Sequence, residues 1–341
     1  MFHAAQSRLM LAGLAAAMAL SVQGTTAQPT GLPNPYTRVG TFLKMPAGRT
    51  MGATSGIDID RDGRSVWVFD RCGANTCAGS TLAPIMKFDP DGNLVRSFGE
   101  GMFIFPHSIY TDRDGNLWVT DGQGPDGKNP ARDGKGHQAF KFSPEGKLLM
   151  TLGTAGVAAE TPTTFNAPSA VVVASNGDIF VADGHSATTN NRIVKFSRDG
   201  KFIKAWGKQG AAPGEFSPPH GIAMDSRGRI FVADRGNNRV QIFDQEGVFL
   251  EEWRQFGRPS GIFIDRNDML YVADSQSNAK NNPGFGMGTY IGSAKDGKVT
   301  AFIPDSNPEG SGEEGITADA AGNLFGAQIA PSSTVVKYAK K

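Results

Sequence analysis

Six positions in this 341-residue chain recur in one register of an internal repeat and carry residue types that bind metals. Stepping back eight residues from the turn glycine of each repeat, or from its equivalent, gives Ser55, His107, Ser169, His220, Ser260 and Glu314. A metal-binding type therefore falls in every second repeat. Two imidazoles, a carboxylate and an open position form a ligand set for catalytic zinc or another divalent metal. The serines between them are small and leave room for an ion. A lone histidine at the start of a strand is ordinarily a hydrogen-bonded structural residue. Two of the chain's five histidines in one column, two repeats apart, argue instead for a shared ion. Glu313 is adjacent to Glu314, and a one-residue slip in register would exchange them.

A second column follows at Asp70, Asp121, Asp183, Asp234, Asp274 and Gln328. Such recurrence is mostly architectural, with carboxylates accepting backbone N–H groups in loops. The residues after it differ in chemistry. Arg71 and Arg235 add two fixed cations, and His185 adds a group that titrates near neutral pH. His137 is read as structural. A cationic, metal-bearing pocket of this kind suits a small-molecule or peptide-like carboxylate substrate.

The elements that must position these side chains are strands. Each repeat alternates apolar and polar residues at period two, and D-G, N-G or E-G pairs break the pattern. Those pairs supply the positive φ that a two-residue hairpin turn needs. Four short strands in a repeat of roughly 40–60 residues mark a propeller blade. Six repeats predict an all-β, six-bladed β-propeller. The segment 36–44 resembles the last strand of the later repeats and is expected to complete the final blade, closing the ring. The first strand of each blade lines the central channel, so alternate blades aim His107, His220 and Glu314 inward about 120° apart. Adjacent strands run antiparallel, which brings Arg71, Arg235 and His185 to the same mouth. The DxDG runs read as turns, lacking the further ligands of a calcium loop. The Gly/Asn-rich insertion 275–294 reads as a lid or a partner-binding loop.

Composition bounds the rest. The formal charge is +1 with both signs interspersed, which excludes an electrostatic nucleic-acid binder. Arg8 followed by an apolar run and Thr25-Thr26-Ala27 reads as a signal peptide over 1–27, too short for a transmembrane helix. Residues 28–35 read as a linker, and 36–341 as the propeller. The protein is expected to be exported, periplasmic or secreted, without a membrane span, and monomeric. Cys72 and Cys77, the chain's two cysteines, read as a short-loop disulfide in that compartment.

On the segments FPHSIYTDRDGNLWVTD, IFVADGHSATTNNRIVKFSRDGKFIKAWG and FSPPHGIAMDSRGRIFVADRGNNRVQIF, the chain resembles NHL-type propellers. Within them it resembles the lyase half of peptidylglycine α-amidating enzymes, almost end to end over 36–341. The resemblance implies a catalytic zinc held by histidines on alternate blades, two of which match His107 and His220. The third falls at Glu314, a departure. It implies substrate-side arginines at Arg71 and Arg235. It places a catalytic tyrosine where this chain has His185, which is then the expected base. The structural calcium of that family is doubtful, because Gly315 stands where an aspartate would be needed. No segment resembles the copper monooxygenase half, so a hydroxylated substrate is expected from elsewhere. The implied reaction cleaves a carbinolamide to an amide and an aldehyde such as glyoxylate. Two other functions compete. Metal-dependent propeller lactonases use carboxylate and amide ligands, and NHL propellers can be non-catalytic binding platforms.

Overall fold

The computed structural model of the protein describes residues 31–305 and 312–341. The expected signal peptide 1–27 and the first part of the expected linker lie outside the described residues. The described residues form six four-stranded antiparallel sheets arranged as blades. In the first five, the strands run from the channel outward in sequence order. The third blade, for example, is Pro168–Val173, Ile179–Asp183, Arg192–Phe196 and Phe202–Trp206. The only helical turns among the described residues are two short 3₁₀ segments, Pro130–Arg132 and Arg235–Asn237.

Position within a blade explains the sequence of each strand. Second strands such as Val66–Asp70, Leu117–Asp121 and Ile230–Asp234 are buried at every residue. They sit between neighbouring blades and read as continuous apolar runs, as doubly covered strands do. Outer strands such as Leu94–Phe98 and Leu148–Leu152 are mostly exposed or half-buried. The turn aspartates are structural. The Asp112 carboxylate accepts from the backbone of Asp114 and Asn116 and from the Trp118 indole, at 2.9–3.2 Å.

Closure uses both ends of the described chain. Tyr36–Thr41 is the outer strand of the sixth blade and pairs antiparallel with Thr334–Lys340, from Tyr36 opposite Lys340 to Thr41 opposite Val336. Inside it lie Leu324–Gln328 and, at the channel, Glu313–Ala318. No edge is left open between first and last blades.

In the first five blades the aspartate column ties the entry loop to the far end of the second strand. Asp121 accepts from the backbone N–H of Ile104 at 2.9 Å and of Phe105 at 2.6 Å. Asp70 takes Gly52 at 2.6 Å, Asp183 takes Asn166 at 2.7 Å and Asp234 takes Ser217 at 2.7 Å. The loop behind Asp70 carries the Cys72–Cys77 disulfide, with Cα atoms 5.1 Å apart. Removing the Asp121 carboxylate strands two buried donors just ahead of His107. Asp121→Ala should therefore lower stability by about 2–4 kcal/mol, read from the urea midpoint; an unchanged midpoint would show that these carboxylates do not organise the entry loops.

Candidate metal centre

In every blade the pairing register between first and second strands shifts at the first column. The shifts lie between Thr54 and Gly56, Pro106 and Ile109, Pro168 and Ala170, Pro219 and Gly221, Pro259 and Gly261, and Glu313 and Gly315. A β-bulge adds one residue to a strand and re-aims its side chain. Ser55, His107, Ser169, His220, Ser260 and Glu314 each occupy that added place. Period-two reasoning alone does not find it, because a bulge breaks the period. The bulge also separates the two glutamates. Glu313 turns into the sixth blade, where its Oε1 accepts from the Tyr338 hydroxyl at 2.5 Å and the Gln328 amide at 3.4 Å. Glu314 faces the channel.

His107 and His220 are anchored alike. The Nδ1 of His107 bonds the Ser169 carbonyl at 2.6 Å, and the Nδ1 of His220 bonds the Ser260 carbonyl at 2.9 Å. A carbonyl only accepts, so each Nδ1 carries the proton and each Nε2 presents a lone pair. The His107 Nε2 is buried without a hydrogen-bond partner. The His220 Nε2 lies 3.2 Å from the Nε2 of His185. Ring centroids are 4.6 Å apart for His107 and His185, 4.8 Å for His107 and His220, and 5.0 Å for His185 and His220. One ligand atom from each of the three lies within 4.8 Å of the other two. A buried lone pair with no donor, in a set of three convergent imidazoles, fits a divalent ion.

His185 reaches this point from a loop. Its backbone N–H and that of Ser186 donate to the Thr189 hydroxyl at 2.9 and 3.1 Å. Asn191, at φ 54°, closes the loop through its amide, bonded to the carbonyls of Ser186 and Thr189. These contacts fold the loop so that the imidazole turns inward.

The charged groups line the same mouth. Arg71 is buried and donates through Nε to the Pro106 carbonyl at 2.9 Å. Its terminal nitrogens donate to Asn75 Oδ1 at 2.7 Å and to Ser55 Oγ at 3.1 Å. Its guanidinium lies 3.7 Å over the Phe105 ring. No carboxylate among the described residues forms an ion pair with it, and each terminal nitrogen keeps one further N–H. Arg235 is different, since its NH1 contacts Glu314 Oε1 at 3.3 Å. Ser275 Oγ also donates to Glu314 Oε1, at 3.2 Å, and Glu314 Oε2 stands 3.5 Å from His220 Nε2. Phe105, Asn75 and Ser275 were not singled out from sequence. Only the place of Phe105, two residues before His107, gave a signal. His137 stays apart, accepting the Ala167 N–H at 3.1 Å.

A cavity of about 170 Å³ lies in the channel, lined by the column residues, by aliphatic side chains such as Ile109, Ile222 and Ile316, and by Asp58 and Tyr110. A larger cavity of about 650 Å³ opens at the opposite mouth among the turn residues Asp60, Asp112 and Asp265. Size there does not mark the chemistry, since His107 and His220 line only the smaller space.

Burial, then neighbouring positive charge, disfavours protonation throughout the cluster. His107 and His220 are pushed well below the ordinary histidine range, and His185 is lowered to about 3 by burial and by Arg235 and Arg71. Unfolded, each imidazole binds a proton near pH 6.5; folded, it does not. Each therefore contributes stability that is whole above pH 6.5 and is lost as pH falls toward its folded value. The loss is about 1.4 kcal/mol per pH unit per group. Asp58 and Asp121, raised by burial to about 6 and about 7, act in the opposite sense. The readout is thus a difference between variants. In metal-free protein, His185→Gln should remove about 1.4 kcal/mol per pH unit from the slope of stability between pH 6 and 4.5; equal slopes would mean that His185 is not held neutral.

With this geometry established, sequence and structural comparisons place the chain. The NHL repeat pattern matches residues 165–196 and 216–243. The chain is 35% identical over 182 residues to human NHL repeat-containing protein 3, covering 51% of this chain and 49% of that protein. It is 32% identical over 216 residues to a probable peptidyl-alpha-hydroxyglycine alpha-amidating lyase of Caenorhabditis elegans, covering 57% and 56%. The match thus spans about half the length of these curated relatives. A structure described as a gluconolactonase from Xanthomonas campestris superposes with a TM-score of 0.58 over 92% of this chain and 97% of that one. At 15% identity it shares the fold alone. The chain is a six-bladed propeller that carries the NHL repeat pattern at 165–196 and 216–243 and is similar over about half its length to peptidyl-α-hydroxyglycine α-amidating lyases.

Proposed function

We propose that this protein is an exported, metal-dependent lyase that cleaves the C–N bond of a carboxylate-bearing carbinolamide. The observation that carries this reading is a buried cation without a carboxylate partner, Arg71, beside three convergent neutral imidazoles. A buried guanidinium is costly unless an anion joins it. Its remaining N–H groups match the fork of a substrate carboxylate. Phe105 beneath it and the Ser55 and Asn75 acceptors fix its plane, so the substrate's acid end is held in one orientation.

His107 and His220 would hold the ion, zinc being the metal best suited to imidazole with an open position. When bound, it supplies Lewis acidity toward the substrate's hydroxyl oxygen. The protein's own groups do the rest. Arg71 binds the carboxylate. His185 and Glu314, both beside His220, divide the third-ligand and proton-acceptor roles between them. The acceptor removes the hydroxyl proton, the oxygen electron pair forms the carbonyl, and the C–N pair leaves on nitrogen. Nitrogen takes up a proton. The products are an amide and an α-oxo acid such as glyoxylate. Arg235 contacts Glu314 through NH1 alone, which leaves its other N–H groups to serve as the second substrate-side arginine.

The test is metal analysis of the purified chain together with turnover of an N-acyl-α-hydroxyglycine, with a panel of lactones as control. About one zinc per chain and release of glyoxylate are expected, both lost in His107→Ala/His220→Ala. Arg71→Ala should raise KM by about 10- to 100-fold. Turnover of lactones alone would make the protein a hydrolase. Absence of both metal and turnover would leave a binding platform.

A further inference from the structure

We infer that the two undecided side chains have fixed and separate roles: His185 completes the three-imidazole ligand set, and Glu314 stays outside it as the proton acceptor, held by Arg235. This rests on the reading of the site as a metal centre and goes beyond it in assigning the ligands.

Geometry separates the two residues. The His185 and His220 Nε2 atoms are 3.2 Å apart. Two nitrogens each bonded at 2.0–2.1 Å to one tetrahedral ion stand about 3.3 Å apart. The His107 Nε2 faces the same point with no protein partner. The three ring centroids lie 4.6–5.0 Å apart, and one ligand atom from each ring lies within 4.8 Å of the other two. Glu314 approaches one of the three, His220, at 3.5 Å. Both atoms of that contact are acceptors when His220 keeps its proton on Nδ1, so it is not a hydrogen bond. The other carboxylate oxygen is occupied by Arg235 at 3.3 Å and Ser275 at 3.2 Å. Those two partners hold Glu314 against the edge of the cluster.

The electrostatic consequence is a division of labour. A centre with three neutral imidazoles keeps its full positive charge, which favours an anionic substrate and an acidic hydroxyl. A carboxylate in the coordination shell would cancel part of that charge. Placed outside, the same carboxylate remains free to receive a proton, with Arg235 against its other oxygen. The rival explanation of the 3.2 Å contact is a plain hydrogen bond in which His185 donates Nε2–H to His220. That reading gives His185 no part in metal binding.

Zinc affinity, measured by chelator competition on the purified full chain, distinguishes these. His185→Ala should weaken zinc at least 100-fold, whereas Glu314→Gln should keep one zinc per chain within about threefold of the wild-type affinity. Thermal unfolding of the metal-free forms checks that both variants fold. As a direct probe, His185→Cys loaded with Co²⁺ should show a near-ultraviolet thiolate-to-cobalt absorption that the wild type lacks, which requires side chain 185 in the coordination shell. Wild-type affinity in His185→Ala with loss of zinc in Glu314→Gln overturns this assignment and leaves the lyase reading standing. A wild-type chain that takes up no zinc overturns both.

Discussion

The structure depends on a ring of contacts in which each blade's channel-lining residue touches the backbone of the next. Ser55 donates to the His107 carbonyl at 2.7 Å, His107 to Ser169, Ser169 to the Pro219 carbonyl at 2.6 Å, and His220 to Ser260. The circuit is completed by close approach. A Cβ at Gly261 would lie 2.6 Å from the Glu314 carbonyl, and one at Gly315 would overlap the carbonyl of Ser55. Glycine is needed at these two places because backbone meets backbone there. Closing the propeller and orienting the imidazoles are therefore one event: the carbonyl that joins two blades also fixes which nitrogen faces the channel. The same contact leaves no room for a side chain at 315 without a shift of the Ser55 backbone.

Charge follows from the ring. Once the imidazoles are buried with two arginines at their mouth, protonating any of them adds a third buried cation, and the cluster stays neutral. The arginines are compensated unequally. Arg235 has Glu314, while Arg71 has only carbonyl, amide and hydroxyl acceptors and the face of Phe105. Burial lowers Arg71 to about 10, which leaves it cationic at neutral pH. Partners of that kind satisfy geometry without cancelling charge. The mouth is left with one net positive site whose natural complement is an anion.

Most of the scaffold was legible in the chain because it repeats. Period-two strands, turn glycines and the two columns recur six times, and recurrence filters local noise; the closing strand 36–44 was readable because it matches the fourth strand of other blades. The roles at 185 and 314 were not. His185 sits in a loop with no period, and its inward course depends on Asn191 adopting φ 54° and on the Thr189 hydroxyl. The Arg235–Glu314 contact joins residues 79 apart on different blades, which no local pattern encodes. The bulge that turns Glu313 away and Glu314 inward is likewise invisible to a period-two reading, though the column alignment chose the residue that faces the channel.

The two departures from the resembled pattern, histidine at 185 and glutamate at 314, become intelligible as a pair. Both lie against His220, at 3.2 and 3.5 Å. Changing position 314 alone would leave two imidazoles, and changing 185 alone would crowd a fourth into the cluster. On the assignment proposed above, the two together keep the number of imidazoles at three while placing one on a loop, and they place the proton acceptor on the strand. A strand-borne carboxylate fixed by Arg235 and Ser275 is a better-positioned base than a loop side chain, because its geometry is set by the bulge and the ring. A loop-borne ligand is the cheaper element to leave adjustable, since the ion itself can draw the imidazole into place once His107 and His220 have fixed the centre.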